Sequence, residues 1–132
     1  MFEEIKGLTP ELAAKLKAKG IASAEGLLNA GKTPQGRKAL TGELGVDGKV
    51  LLAYINRADL ARVKGVGGVY ADLLEEAGVD TIKELATRVP ANLEAKIAAV
   101  NAAKKLTSKP PTVSQVENWV AQAKQLPKLV EY

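Results

Sequence analysis

The chain of 132 residues has no cysteine and no histidine. Without cysteine there are no disulfides, no thiolate nucleophile and no soft metal ligand. Without histidine the usual general base and the commonest transition-metal ligand are gone, so any enzyme would need paired carboxylates or a serine–lysine device. Aromatic residues are scarce: one Phe, one Trp and three Tyr. The apolar share of 46% is therefore built mostly from alanine and aliphatic side chains, which suits a thin helical core. No apolar run approaches the roughly 20 residues that span a bilayer. The acidic opening Met1-Phe2-Glu3-Glu4 has no signal-peptide pattern. These absences lead to the expectation of a soluble, cytoplasmic, non-enzymatic protein with neither cofactor nor metal.

What is present is glycine, proline and a mild basic excess. The net charge is +4 and the pI is near 9.3, which is compatible with a polyanionic partner. Residues 1–58 carry nine Lys/Arg against six Asp/Glu, and residues 59–132 carry ten against nine, so the excess favours the first half. The glycines concentrate in Val63-Lys64-Gly65-Val66-Gly67-Gly68-Val69-Tyr70-Ala71. Asp59-Leu60-Ala61-Arg62-Val63 before it reads as a short helix capped by Asp59. Tyr70, Leu73, Leu74 and Ala77 after it recur at helical spacing. Gly65 and Gly67 are free to adopt positive φ and turn the chain sharply. The second helix then begins with unsatisfied N–H groups and the positive end of its dipole at the turn, a combination that favours an anion. The plainer reading of the same residues is a tight helix–helix connection with no ligand.

A duplication underlies the chain. A shift of 58 places Ile5-Lys6-Gly7-Leu8 on Val63-Lys64-Gly65-Val66, Ala13 on Ala71, Leu16 on Leu74, Gly20 on Gly78 and Leu27 on Leu85. Gly20 and Gly78 stand where a helix ends in a left-handed residue. Ser23 and Thr81, or Asp80, are natural N-caps. Thr33-Pro34 opens a helix to about Leu44, Val89-Pro90 one to about Lys105, Asp47 one through Ala58, and Thr112 the last. There the shift becomes 65, placing Tyr54 on Trp119, the two expected central aromatics; Trp119 stacking on a nucleobase is the sharper alternative. Lys109-Pro110-Pro111 reads as a rigid loop and the tail from Leu126 as surface chain. No stretch alternates with period two. The expectation is an all-α fold of eight to ten short helices in a single domain, with repeat unit one at 1–60 and unit two at 61–132, packed about a pseudo-two-fold axis.

Gly65-Val66-Gly67 followed by Ala71 and Leu74 resembles the helix-hairpin-helix motif. With Asn56-Arg57-Ala58-Asp59-Leu60, Ala77-Gly78-Val79-Asp80-Thr81, Ser114-Gln115-Val116-Glu117-Asn118-Trp119 and the tail, nearly the whole chain resembles a bacterial and archaeal helix-hairpin-helix-related domain of unknown function. The resemblance implies a tandem helix-hairpin-helix fold and sequence-independent DNA binding. Hairpin N–H groups would hold a phosphate oxygen, sometimes with a monovalent cation bridging hairpin carbonyls and phosphate. The residues it points to are Lys64, Gly65, Val66, Gly67 and Gly68 in the second hairpin, and Lys6, Gly7, Leu8, Thr9 and Lys15 in and beside the first.

The match is incomplete. No cation follows the second hairpin, and Asp72, Glu75 and Glu76 make that helix acidic. In the first, Thr9 replaces the second glycine, Pro10 cannot donate, and Glu11 disfavours an anion. Lys6, Lys15, Lys17 and Lys19 make the first unit basic, or simply form a solvated face. A helix-turn-helix reading of residues 39–55 fails because Val50, Leu51, Leu52, Tyr54 and Ile55 cannot read base edges. Two expectations stay open: weak binding to the DNA phosphate backbone, or a protein-interaction or scaffold module whose hairpins are architectural.

Overall fold

The computed structural model describes residue 5 and residues 8–131. Among these, eight α-helices account for the regular structure and no strand occurs: α1 (Pro10–Ala18), α2 (Ala24–Gly31), α3 (Pro34–Leu44), α4 (Gly48–Leu60), α5 (Gly68–Glu76), α6 (Ile82–Ala86), α7 (Pro90–Lys104) and α8 (Val113–Gln125). The protein is all-α. No helix among the described residues is long and apolar enough to cross a membrane.

Short polar residues start most of these helices by satisfying first-turn N–H groups. Thr9 accepts from Leu12 N–H at 3.2 Å, Ser23 from Gly26 at 3.1 Å, Thr33 from Gly36 at 3.0 Å and Thr81 from Glu84 at 3.1 Å. The Asp47 carboxylate accepts from Lys49 N–H at 2.7 Å. Thr112 forms a reciprocal capping box with Gln115. Proline occupies the first turn of α1, α3 and α7, where its missing N–H costs nothing. Gly20 and Gly78 are left-handed, at φ 83° and 92°, as a helix stop requires. Lys105 ends α7 in the same conformation at φ 52° without being glycine. Asn101 braces the chain just beyond, accepting from Thr107 N–H and donating to its carbonyl, both at 3.0 Å.

The chain divides into two compact units. Unit one lies within Met1–Asp59 and Lys128–Tyr132. Its core gathers Leu12 and Leu16 of α1, Leu27 and Leu28 of α2, Leu40 and Leu44 of α3, and Leu51 and Ile55 of α4. α1 and α2 both pack on α3. The tail lies on the surface only in part: Pro127, Lys128 and Glu131 are exposed, as expected, but Val130 is not. Val130 is 2% exposed and joins this core, while Glu131 N–H donates to Lys32 O at 2.7 Å. A branched apolar side chain such as that of Val130 finds burial more favourable than solvent.

Unit two is Leu60–Pro127. Leu73 and Leu74 of α5, Leu85 of α6, Ile97 of α7 and Val116, Trp119 and Val120 of α8 form its core. α6 and α7 pack on α8, and α5 on α7. Trp119 is buried as expected, but Tyr54 is only half-buried at the edge of the first core.

Candidate nucleic-acid interface

The second hairpin is turn 61–67 between α4 and α5. The expected short helix capped by Asp59 is absent. Asn56-Arg57-Ala58-Asp59-Leu60 contains no breaker, so α4 runs on to Leu60 and Asp59 is buried in its last turn at 5% exposure. The turn then closes through Val63 N–H to Leu60 O at 3.0 Å and Val66 N–H to Val63 O at 3.2 Å. Val63 and Val66 are buried and anchor the turn to the core.

The hairpin glycines play different parts. Gly65 is left-handed, at φ 98°. A Cβ there would also come within 3.0 Å of Trp119 Nε1, so both backbone and packing demand glycine. Gly67 is extended, at φ −91° and ψ −172°, so its expected left-handed turn is not observed. It is instead the N-cap of α5, which begins at Gly68. Its carbonyl accepts from Ala71 N–H at 2.9 Å, but it brings no side chain to the first-turn N–H groups. Nothing lies within 4 Å of where its Cβ would stand.

Lys64 is exposed. Its backbone is held by Gln122 of α8, whose Oε1 accepts from Lys64 N–H at 2.8 Å and whose Nε2 donates to Lys64 O at 3.0 Å. The same Nε2 donates to Asn118 Oδ1 at 2.7 Å, which fixes the amide. Lys64 N–H is thereby committed inside the protein, and any anion would have to meet the N–H groups further along. Gln122 is separated from Lys64 by 58 residues, and nothing in the sequence pattern singles it out.

The first hairpin differs. Lys6 and Gly7 lie outside the described residues. Leu8 is half-buried against the first core, and its N–H donates to Ile5 O at 3.4 Å. Thr9 turns its hydroxyl back onto α1. Lys15 and Lys19 are drawn to the C-terminus of α3: Lys15 Nζ donates to Leu44 O at 3.3 Å, and Lys19 pairs with Glu43. A cation there complements the negative end of the helix dipole. The first unit's lysines are thus partly engaged within the unit.

Elsewhere in unit two, a shallow cleft of about 280 Å³ lies beside the start of α7, lined by Thr87, Arg88, Val89, Asn92, Leu93 and Lys96. Arg88 donates to Gly78 O at 2.9 Å and stands 3.7 Å from Glu84. Hydrogen bonding to Asp80, then burial, holds the Glu84 carboxyl above the usual glutamate range.

Residues 6–126 match the model of a family described as a domain of unknown function (DUF4332). No curated protein and no solved structure matches the chain.

Proposed function

We propose that this chain, which belongs to the DUF4332 family, is a non-enzymatic module of two tandem helix-hairpin-helix units that contacts nucleic-acid phosphates weakly and without sequence preference through residues 64–68. Recurrence of the hydrogen bonds at the shift of 58 supports the tandem reading. Leu8 to Ile5 matches Val66 to Val63, Ala13 to Thr9 matches Ala71 to Gly67, and Ile21 to Leu16 matches Val79 to Leu74.

The observation that carries the binding reading is the open start of α5. Gly67 caps it without a side chain, and the exposed Lys64 stands beside the turn. Backbone donors, helix dipole and one cation suit a phosphate oxygen. Such contacts read no bases. An anisotropy titration of generic duplex and single-stranded DNA at two salt concentrations tests this. Affinity should fall steeply with salt through counterion release. Lys64→Glu should weaken binding equally on unrelated sequences while moving stability by no more than about 0.5 kcal/mol.

One observation favours the other reading, a protein-interaction or scaffold module. Gln122 and Trp119 already secure the hairpin to α8 without any ligand. If wild type shows no salt-sensitive DNA affinity, the hairpins are architectural and the scaffold reading takes over.

A further inference from the structure

Trp119 is the chain's single tryptophan and is 2% exposed. Its ring packs on Tyr70 with centroids 5.3 Å apart and planes tilted by 50°. The polar groups around it have partners: Tyr70 OH donates to Lys109 O at 2.9 Å, and the Gln122 amide holds Lys64 and Asn118. The indole N–H donates to no acceptor among the described residues. The nitrogen edge of the ring lies against the hairpin: Nε1 and Cδ1 are 3.0 and 3.9 Å from where a Cβ at Gly65 would stand, and Gly65 is an exposed residue with no side chain to cover them. An indole N–H can only donate, and when buried it ordinarily has an acceptor.

Two unused sets of donors therefore meet at one turn. One is the start of α5, a helix of nine residues with no side-chain cap. The other is the Trp119 N–H, supplied by α8. With Lys64 beside them, every group offered is a donor or a positive charge, which calls for a ligand with several acceptor oxygens and negative charge. We propose that Trp119 Nε1–H is a direct donor to the phosphate oxyanion held at residues 64–68, so that α5 and α8 grip the same group from two sides. This rests on the phosphate reading above and deepens it by adding a residue 55 positions beyond Lys64. It also gives glycine at 65 a ligand-side purpose: any side chain there would stand between the indole N–H and the anion.

The test uses the full chain labelled with ¹⁵N, whose single tryptophan gives one indole N–H resonance apart from the backbone signals. Inorganic phosphate and a generic DNA duplex are titrated separately at low salt. A saturable downfield movement of that resonance with both ligands supports the proposal and the nucleic-acid reading together. Movement with inorganic phosphate but no duplex binding supports the proposal and removes the nucleic-acid reading, leaving a small phosphate as the source. Salt-sensitive duplex binding with an unmoved indole resonance overturns the proposal while the hairpin reading survives. No movement with either ligand also overturns it. Trp119→Phe, which keeps a ring against Tyr70 but removes the donor, should bind roughly tenfold more weakly, as expected for loss of one hydrogen bond to a charged group. An unchanged affinity in a folded variant would speak against the proposal, and if the variant does not fold, the wild-type resonance alone decides.

Discussion

At positions 58 apart, Leu8-Thr9-Pro10 and Val66-Gly67-Gly68 lead the chain into α1 and α5, each of nine residues. Both cap residues are extended, and both cap carbonyls accept from the N–H four residues on at 2.9 Å. The backbones thus do the same thing. At the helix start two positions differ: Thr9 closes its helix with its own hydroxyl where Gly67 leaves the corresponding end of α5 open, and Pro10 has no N–H to offer where Gly68 has one. The comparison teaches that the same backbone turn can start a helix with its first-turn donors capped in one unit and uncapped in the other, with no change in the local backbone.

The largest effect should come from Gly65→Val, which forces a β-branched residue to φ 98° and drives its Cβ against Trp119. Strain of this kind costs about 1–3 kcal/mol, and the steric conflict adds to it. Urea denaturation should show a lowered midpoint; an unchanged midpoint would mean that Gly65 is not left-handed and that the second hairpin is built differently. Next, Gln122→Leu removes both bonds to the exposed Lys64 backbone and should cost about 0.5–1.5 kcal/mol, the net worth of hydrogen bonds that water can partly replace. If stability is unaffected, the hairpin does not depend on α8.

The exchange of caps tests the comparison itself. Gly67→Thr has open space and a suitable backbone, so it should stabilise by a few tenths of a kcal/mol while its hydroxyl takes up an N–H that phosphate would otherwise use. Thr9→Gly should do the reverse in unit one. Thermal melts and phosphate titrations on both variants check this; DNA affinity that survives Gly67→Thr intact would detach binding from the open helix end. The smallest effect concerns Asp80→Asn. Glu84 holds its proton more tightly folded than unfolded, so its carboxyl contributes stability at acid pH that fades as pH rises through the folded Glu84 titration. Relief of the Asp80 carboxylate should flatten that slope in melts run from acid to neutral pH. A slope equal to wild type would show that Asp80 is not its cause.

Much of this was legible because short polar caps and prolines act locally. Ser23, Thr33, Asp47, Thr81 and Thr112 mark helix starts by chemistry confined to a few residues, and the shift of 58 shows that the pattern occurs twice. Asp59 misled for the same reason: it has the right type for a cap, but nothing before it interrupts α4, and propagation of a helix costs less than starting a new one. The candidate site was half legible. The glycines marked the turn, yet which of them is left-handed depends on Trp119 and Gln122. Those contacts join residues 54 and 58 positions apart, and no local pattern records them. The burial of Val130 is invisible for the same reason.

The return of Val130 to the first core, held by the backbone bond from Glu131 to Lys32, has a consequence for how the molecule is made. Proteins emerge from the ribosome from the N-terminus, and domains generally fold as units in that order. Here unit one draws on residues 128–131, which are synthesised after all of Leu60–Pro127. The second unit therefore has its whole sequence available while the first still lacks the side chain that completes its core, and the order of completion runs against the order of synthesis.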